Sequence, residues 1–397
     1  MSQFSPETIA LIKATVPVLQ ARGEDITRHF YGLMLREHPE LKAFFNEAHQ
    51  AEGTQARALA GAVLAYASHI DRLEALAGAL PRIIQKHVAL GVQPAHYPIV
   101  GQCLLRAIRE VLGAEVATDA ILSAWGEAYG ALAKLLIDAE ELAYAATAAR
   151  PGGWRGQRAV RVARKEAESE LITSFYLEPA DGQPLADFLP GQYLTLVLDI
   201  DGQTVRRNYS LSDAPGKPWY RVSIKREDGG RVSNWMHDHV QVGDTVRIQA
   251  PAGEFTLDAQ AKRPLVLVTG GVGITPAMAM LESAVASGRP IRFIHAARHG
   301  GVHAFRERVD ALAAAHANVD AFYVYDTPRD GDAPHAVGLI GEDLLASQLP
   351  ADRDVDLYLL GPKPFMRAVY RSGRALGIPA RQLRYEFFGP AEELVGA

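Results

Sequence analysis

Leu265-Val-Leu-Val-Thr-Gly-Gly-Val-Gly-Ile-Thr-Pro276 decides the fold of the C-terminal third of the chain. Four consecutive apolar residues, Leu265 to Val268, read as a strand buried on both faces. The run Gly270-Gly271-Val272-Gly273-Ile274-Thr275 then turns the chain, and a helix is expected from near Pro276. Glycine lets backbone amides come close to a pyrophosphate at a helix N-terminus, where the partial positive charge of the helix also favours an anion. Thr275 is placed to cap that helix and to touch phosphate or nicotinamide. The run is not the longer GxGxxG fingerprint, and taken alone it is equally an ordinary strand-to-helix turn. Downstream, Ile291–His295, Phe322–Tyr325 and Leu357–Leu360 are further apolar strands separated by helical stretches. That alternation predicts a parallel sheet flanked by helices.

Upstream the pattern changes to short strands with turn residues between them. Ala159–Ala163, Ile172–Leu177, Tyr193–Leu198, Tyr220–Ile224 and Val246–Ile248 are such strands. Asp181-Gly182, Pro190-Gly191, Asp201-Gly202 and Asp228-Gly229-Gly230 are the turns. Close spacing of this kind predicts a small antiparallel β-barrel, with one short helix near Ser233–His237. Within it, Arg207-Asn208-Tyr209-Ser210 combines a guanidinium able to grip a pyrophosphate with an aromatic ring able to stack on a flavin. Tyr193 is a second aromatic for the flavin or its adenine. Gly230, Val232 and Ser233 open the short helix and suit the other part of the pyrophosphate. By itself the RNYS run is also a plain strand of mixed polarity.

Ala149-Arg-Pro-Gly-Gly-Trp154 breaks the preceding helix and reads as a linker. Everything before it is helical. Ser5-Pro6-Glu7 has the form of a helix start, and Ile9, Ile12, Val16 and Leu19 recur at helical spacing. Leu80, Ile83, Ile84 and His87 make an apolar stripe ending in an imidazole, the arrangement that proximal ligation of haem iron requires. Tyr31, Phe45, Gln55 and Leu59 could wall the opposite face. A lone histidine is more often a hydrogen-bonded core or surface residue; its neighbourhood is what favours the ligand.

The whole chain bounds these readings. At 397 residues it has room for two or three domains, and 48% hydrophobic residues suffice for large cores. A net charge of −5 leaves no footprint for nucleic acid. No unbroken apolar stretch long enough to cross a bilayer is apparent, and MSQFSPETIA lacks the apolar core of a signal peptide, so a cytoplasmic location is expected. Cys103 is the one cysteine, which excludes an intrachain disulfide and a cysteine-held iron–sulfur cluster.

The runs FYGLML, QKHVALGV, GGWRG, PGQYL, RNYSL, GGVGITP, HAARHG, LLGP and YEFFGP follow one another from about residue 4 to residue 390 without large insertions. In this order they resemble the flavohaemoglobins, the bacterial and fungal nitric oxide dioxygenase family. The resemblance implies a globin domain at 1–147, an FAD-binding barrel at 148–260 and an NAD(P)-binding α/β domain of ferredoxin-reductase type at 261–397. It implies haem b held by His87, FAD, and NADH or NADPH. Tyr31 would donate a hydrogen bond to bound O2, with Gln55 nearby. Leu59 would restrict the pocket and Phe45 would wedge against the haem. Tyr97 and Glu140 would form a second layer behind His87; without the family, a packing tyrosine and a solvated charge are the plainer readings. Ser210 would reach flavin N5. Glu386-Phe387-Phe388-Gly389-Pro390 resembles the closing segment over the flavin, with Phe388 as the ring that nicotinamide displaces. Lys86 and Glu386 match positions placed between flavin and haem. Leu360 stands where many relatives have cysteine, and Arg298 could meet a 2′-phosphate or be simply solvated.

The activity implied is oxidation of nitric oxide by O2 to nitrate, at the expense of NAD(P)H, with electrons passing through FAD to haem. No nucleic acid or obligatory protein partner is implied, and a monomer is expected. A lipid or azole-like ligand in the distal pocket is left open. Two other functions use the same residues: an NAD(P)H-dependent O2, hydroperoxide or ferric reductase, and a non-enzymatic O2-binding or gas-sensing globin.

Overall fold

The first helix follows from its cap. In the computed structural model, which describes residues 4–45 and 53–388, Ser5 Oγ accepts from Thr8 N at 3.0 Å and Pro6 opens α1 (Pro6–Ala14). Thr15 ends it, donating its hydroxyl to Ile12 O at 2.6 Å, and Pro17 lies in the first turn of α2 (Val16–Glu37). The apolar run from Ile9 to Leu19 therefore spans two helices. Helices α3 (Thr54–Ser68), α4 (Leu80–Leu90), α5 (His96–Leu112) and α6 (Asp119–Ala148) follow. Gly91, at φ 79°, closes α4 in the left-handed region that glycine enters without strain. Gly101 lets α5 meet α6, since a Cβ there would lie 2.4 Å from the Tyr129 ring. Ile12, Ile26, Phe30, Leu33, Met34, Ile108 and Trp125 form the helical core. Truncating a side chain as buried as Phe30 costs about 3–5 kcal/mol.

One described helix, α6, is long and apolar enough to cross a membrane by length and composition, although Glu127, Lys134, Asp138, Glu140 and Glu141 interrupt it. Its Ala124, Trp125, Ala128, Leu136 and Tyr144 are instead buried within the protein.

The chain divides into two compact units, Met1–Ala149 with Leu198–Arg206, and Arg150–Val197 with Arg207–Ala397. Strands β1 (Arg158–Ala167), β2 (Ile172–Pro179), β3 (Tyr193–Ile200), β4 (Gln203–Ser210), β5 (Tyr220–Lys225) and β6 (Thr245–Ile248) form a sheet in the order β4-β3-β6-β1-β2-β5. The pairings of β1 with β2 and β6, of β2 with β5 and of β3 with β6 are antiparallel. A bridge between Leu211 and Val222 brings the end of β4 back to β5, which closes the barrel expected from the sequence. Asp201 and Gly202, at φ 53° and 74°, make the tight two-residue turn that suits a twisted hairpin. Strand β4 carries RNYS; its mixed polarity hides it from pattern reading because it sits at the end of the strand order, with little of its surface buried. Helix α7 spans Arg231–His239, longer than expected.

The second sheet is parallel. Strands β7 (Leu265–Gly270), β8 (Ile291–Ala297), β9 (Val319–Tyr325), β10 (Ala336–Val337), β11 (Asp356–Leu360) and β12 (Leu383–Tyr385) lie in the order β10-β9-β8-β7-β11-β12. Helices α8 (Ile274–Ala284), α9 (Arg306–Ala315), α10 (Glu342–Ser347) and α11 (Lys363–Ala375) connect them. Met278, Leu281 and Phe293 belong to one core cluster of this sheet, and Val268, Ile294, Leu359 and Met366 to a second. The strand order reverses direction at β7 and β11, so a crevice opens beyond their C-terminal ends, where such sheets bind ligands.

Candidate functional site

His87 is fixed by residues remote in sequence. Its Nδ1 lies 2.7 Å from Glu140 Oε1 and 3.1 Å from the Tyr97 hydroxyl, and Tyr97 donates to the same Oε1 at 2.5 Å. Burial first, and then the bond to Glu140, pushes the Tyr97 hydroxyl well above the ordinary tyrosine range, so it stays a donor. Its single proton goes to the carboxylate. A carboxylate oxygen that already takes the Tyr97 proton accepts from the ring as well, so Nδ1 is the imidazole's donor in this contact and Nε2 takes no part in it. Glu140 is only 2% exposed, which would be costly for a carboxylate without these two donors. Tyr144 donates to Val92 O at 2.8 Å and Tyr129 to Tyr97 O at 2.6 Å, anchoring the backbone around the trio.

Apolar side chains that stop short of full burial mark the cleft on either side. Leu80, Ile83, Ile84 and Val92 pack around the Tyr97 cluster, and Tyr31, Phe45, Leu59 and Val63 are half-buried against the helical core. Tyr31 rests on Phe30 at 4.9 Å and edge-on to Phe45 at 5.5 Å. Burial pushes its hydroxyl up to about 12, so it too stays protonated. Among the described residues that hydroxyl has no hydrogen-bond partner. Gln55 lies on the first turn of α3 and Lys86 beside His87 on α4, both half-buried. A flat apolar group with a central metal fits these residues: one neutral imidazole lone pair, two half-covered apolar walls, and a hydroxyl donor with spare capacity.

Most of the residues expected to meet a flavin gather on or beside the first sheet. Tyr193, 7% exposed, lays its ring against Gly253, where a Cβ would stand 2.9 Å from Cε1. Burial raises its hydroxyl, and the negative charges of Glu386 and Glu254 raise it further, which places Glu386 close to it. Burial likewise raises Tyr209, which lies near Arg207 and Glu227. Asn208 Oδ1 accepts from Thr195 Oγ1 at 2.8 Å. Ser210 is half-buried. At the start of α7, Ser233 Oγ accepts from Glu227 N at 3.1 Å and donates to Gly230 O at 3.2 Å. Its hydroxyl thus shapes the turn, while Val232 is buried beside it. A Cβ on Gly230 would lie 2.6 Å from Ser233 Oγ, so only glycine fits this cradle, and the N-terminal amides of α7 suit a pyrophosphate oxygen. Phe387 packs edge-on to Tyr385 at 5.7 Å, and Phe388 is 50% exposed. Gly389 and Pro390 lie outside the described residues.

The glycine turn differs from its expected form. Gly271–Gly273 make a 3-10 turn and α8 begins at Ile274 rather than at Pro276. The residue capping α8 is Gly273, with no side-chain cap; Thr275, buried, donates to Val272 O at 3.0 Å instead of capping. Gly273 packs on backbone, since a Cβ would meet Leu360 O at 2.4 Å and Gly361 N at 2.8 Å. The Phe365 ring lies 3.2 Å from where a Cβ on Gly270 would be. The turn is thus pressed against Leu360 and Gly361 at the C-terminal end of β7.

Two polar clusters in this part left no mark in the sequence. His295 is buried, with Nδ1 2.8 Å from Thr269 Oγ1, and burial holds it down at about 3. Neighbouring His303, 2.8 Å from the Tyr325 hydroxyl, is lowered by burial and then by His295. The second cluster joins Asp213, Lys217 and Arg221 to Glu282. Each member is an unremarkable polar residue until the fold brings them together.

Comparison with known proteins agrees with the three-part organisation. Residues 28–136 match a globin family model, 159–257 an oxidoreductase FAD-binding domain and 267–371 an oxidoreductase NAD-binding domain. A flavohemoprotein of Pseudomonas aeruginosa is 59% identical over 97% of this chain and 98% of its own length. One from Halalkalibacterium halodurans is 45% identical over 99% of both. A flavohemoglobin crystal structure from Malassezia yamatoensis, with bound FAD and heme, matches 97% of this chain and 99% of that one at a TM-score of 0.84 and 29% identity.

Proposed function

The chain belongs to the flavohemoprotein family, an NAD(P)H- and FAD-dependent haem oxidoreductase, and on that premise we propose that it converts nitric oxide and O2 to nitrate in the cytoplasm. The observation that carries this reading is the hydrogen bond from His87 Nδ1 to buried Glu140. Haem would supply the iron that binds O2, and FAD the means of splitting a hydride into single electrons.

The residues around these groups do the rest. Glu140 draws the Nδ1 proton of His87 toward itself, giving the imidazole anionic character and making Nε2 a stronger donor to a metal. A stronger donor favours activation of O2 over simple carriage. Tyr97 donates to the same oxygen and holds Glu140 in place. Tyr31 holds a proton that it can share with a negatively charged oxygen, at a position walled by Phe45 and Leu59. Gln55 is assigned to the same face. Arg207, Tyr209, Ser210 and Tyr193 are assigned to the flavin, with Gly230, Val232 and Ser233 at its pyrophosphate. Glu386, Phe387, Phe388, Gly389 and Pro390 are assigned to its outer face. Gly270 to Thr275 would hold the dinucleotide phosphates through backbone amides. Lys86 and Glu386 would tune electron transfer by their charge.

The test is a balance sheet at limiting NADH. Nitric oxide consumed should equal nitrate formed, at two per NADH. Rapid consumption of O2 or peroxide without matching nitrate would replace this reading with that of an O2 or hydroperoxide reductase.

A further inference from the structure

Helix α8 starts at the dinucleotide turn and, near its other end, buries a carboxylate. Glu282 has 4% of its side chain exposed and lies in the last turn, where the partial negative charge of the helix opposes it. Burial raises its proton affinity, and a hydrogen bond to Asp213 raises it further, while Asp213 is held well below the ordinary range despite its burial. The groups that offset this come from two places. Arg308 Nε, on α9, lies 3.0 Å from Glu282 Oε1. From the barrel, Ala214 N donates to Oε2 at 3.1 Å, Lys217 Nζ lies 3.7 Å from the same Oε2, and Arg221 Nη2 lies 3.9 Å from Oε1.

Arg221 is tied on the barrel side to Ser212 O and, at 3.5 Å, to the Tyr176 hydroxyl. On the other side its guanidinium lies 4.9 Å over the ring of Phe305. Phe305 has φ 60°, a left-handed conformation that is costly for a bulky side chain, and it stands immediately before α9. The cluster thus grips the nucleotide-binding part at the end of α8 and at the start of α9. Buried ion groups of this kind add little net stability compared with apolar packing, but they fix a single geometry.

We propose that the buried Asp213–Lys217–Arg221–Glu282 cluster is a positioning device that sets the direction of α8 relative to the barrel, and so the angle at which nicotinamide meets the flavin. The inference rests on the hydride-transferring half of the protein and not on nitric oxide as substrate. A helix held at its far end has a lever arm of nine residues back to Ile274, so a small tilt there moves the phosphate-holding turn. A displacement of about 1 Å can slow an oriented reaction by about a hundredfold.

The test uses the full-length holoprotein without O2 or nitric oxide, mixing Glu282→Leu and Glu282→Gln with NADH and following flavin bleaching. Glu282→Leu should lower the limiting rate of flavin reduction by about tenfold or more, with FAD content kept and the NADH dissociation constant changed by less than about threefold. The long-wavelength absorbance that reduced flavin shows when NAD⁺ stacks on it should weaken in parallel. Glu282→Gln keeps an amide for Asp213 and an oxygen for Arg308, and should stay within about threefold of the parent rate. A parent-like limiting rate in Glu282→Leu, or a loss confined to NADH affinity, overturns the proposal. If Glu282→Leu fails to fold, Lys217→Met and Arg308→Met apply the same test: both should slow the limiting step, and parent rates in both overturn it.

Discussion

The candidate haem site and the glycine turn after β7 are built on opposite principles. The candidate haem site is made of side chains: His87, Tyr97 and Glu140 come from α4, α5 and α6, and Tyr31 from α2. The turn is made of backbone, within six consecutive residues, and at Gly273 a side chain is excluded because it would collide with Leu360 and Gly361. A site of side chains tolerates changes in the chain between its members but depends on each functional group. A site of backbone depends on the lack of side chains, and an added methyl harms it as much as a deleted group harms the other.

The largest effect that would break this contrast is at His87. His87→Ala should abolish haem binding, with the Soret absorbance of the purified protein lost while flavin absorbance is kept; an unchanged haem spectrum would remove His87 from the iron. The opposite operation, adding one carbon at Gly273, should be nearly as damaging to nucleotide-driven flavin reduction. Gly273→Ala should also lower stability by about 1–3 kcal/mol, because both neighbours are backbone that cannot turn away. Gly271→Ala, which meets open space but has φ 53°, should cost only about 1–2 kcal/mol of backbone strain. Equal losses at the two positions in thermal unfolding would mean that contact with Leu360 is not what demands glycine.

Tyr31→Phe sharpens the side-chain half. One hydrogen bond to a charged acceptor contributes about 1.5–3 kcal/mol, so O2 should leave the ferrous protein about tenfold faster or more. Stopped-flow ligand replacement reads this, and an unchanged off-rate would assign the hydroxyl no part in holding O2.

The smallest effect concerns the nucleotide half in acid. His295 and His303 are kept neutral by burial, with folded-state values depressed below the ordinary histidine range. The unfolded chain takes up these protons below about pH 6.5, so stability is full above that pH and falls as pH drops toward the folded-state values. Each ring should cost about 1 kcal/mol between pH 6.5 and about pH 5.5. Urea unfolding should show this slope and His295→Gln should reduce it; a variant with the parent slope would locate the acid sensitivity elsewhere.

How much was legible follows from the same contrast. GGVGIT and its preceding strand were readable because the constraint is local: a run of apolar residues, then glycines. The start of α8 at Ile274 and the turn of Thr275 toward Val272 O were not readable, because the 3-10 turn depends on how tightly Gly273 is pressed on Leu360. The RNYS run was readable as a motif and as a strand of mixed polarity, while the extent of β4 back to Gln203 was not, since it shows no apolar alternation. Tyr97 and Glu140 were placed behind His87 by family resemblance alone; by composition they were a helix-start tyrosine and one of two adjacent acids.

By itself the sequence determined the three-part order, the helical, barrel and parallel-sheet periodicities, and the glycine turn between β7 and α8, because spacing and glycine content act over a few residues. Only the tertiary structure decided what faces His87 Nδ1, by bringing Glu140 and Tyr97 to one nitrogen, and the burial of Glu282 against Asp213 and Arg221. Proton positions and buried charges are set by which groups meet after water is excluded, and that information belongs to no single stretch of chain.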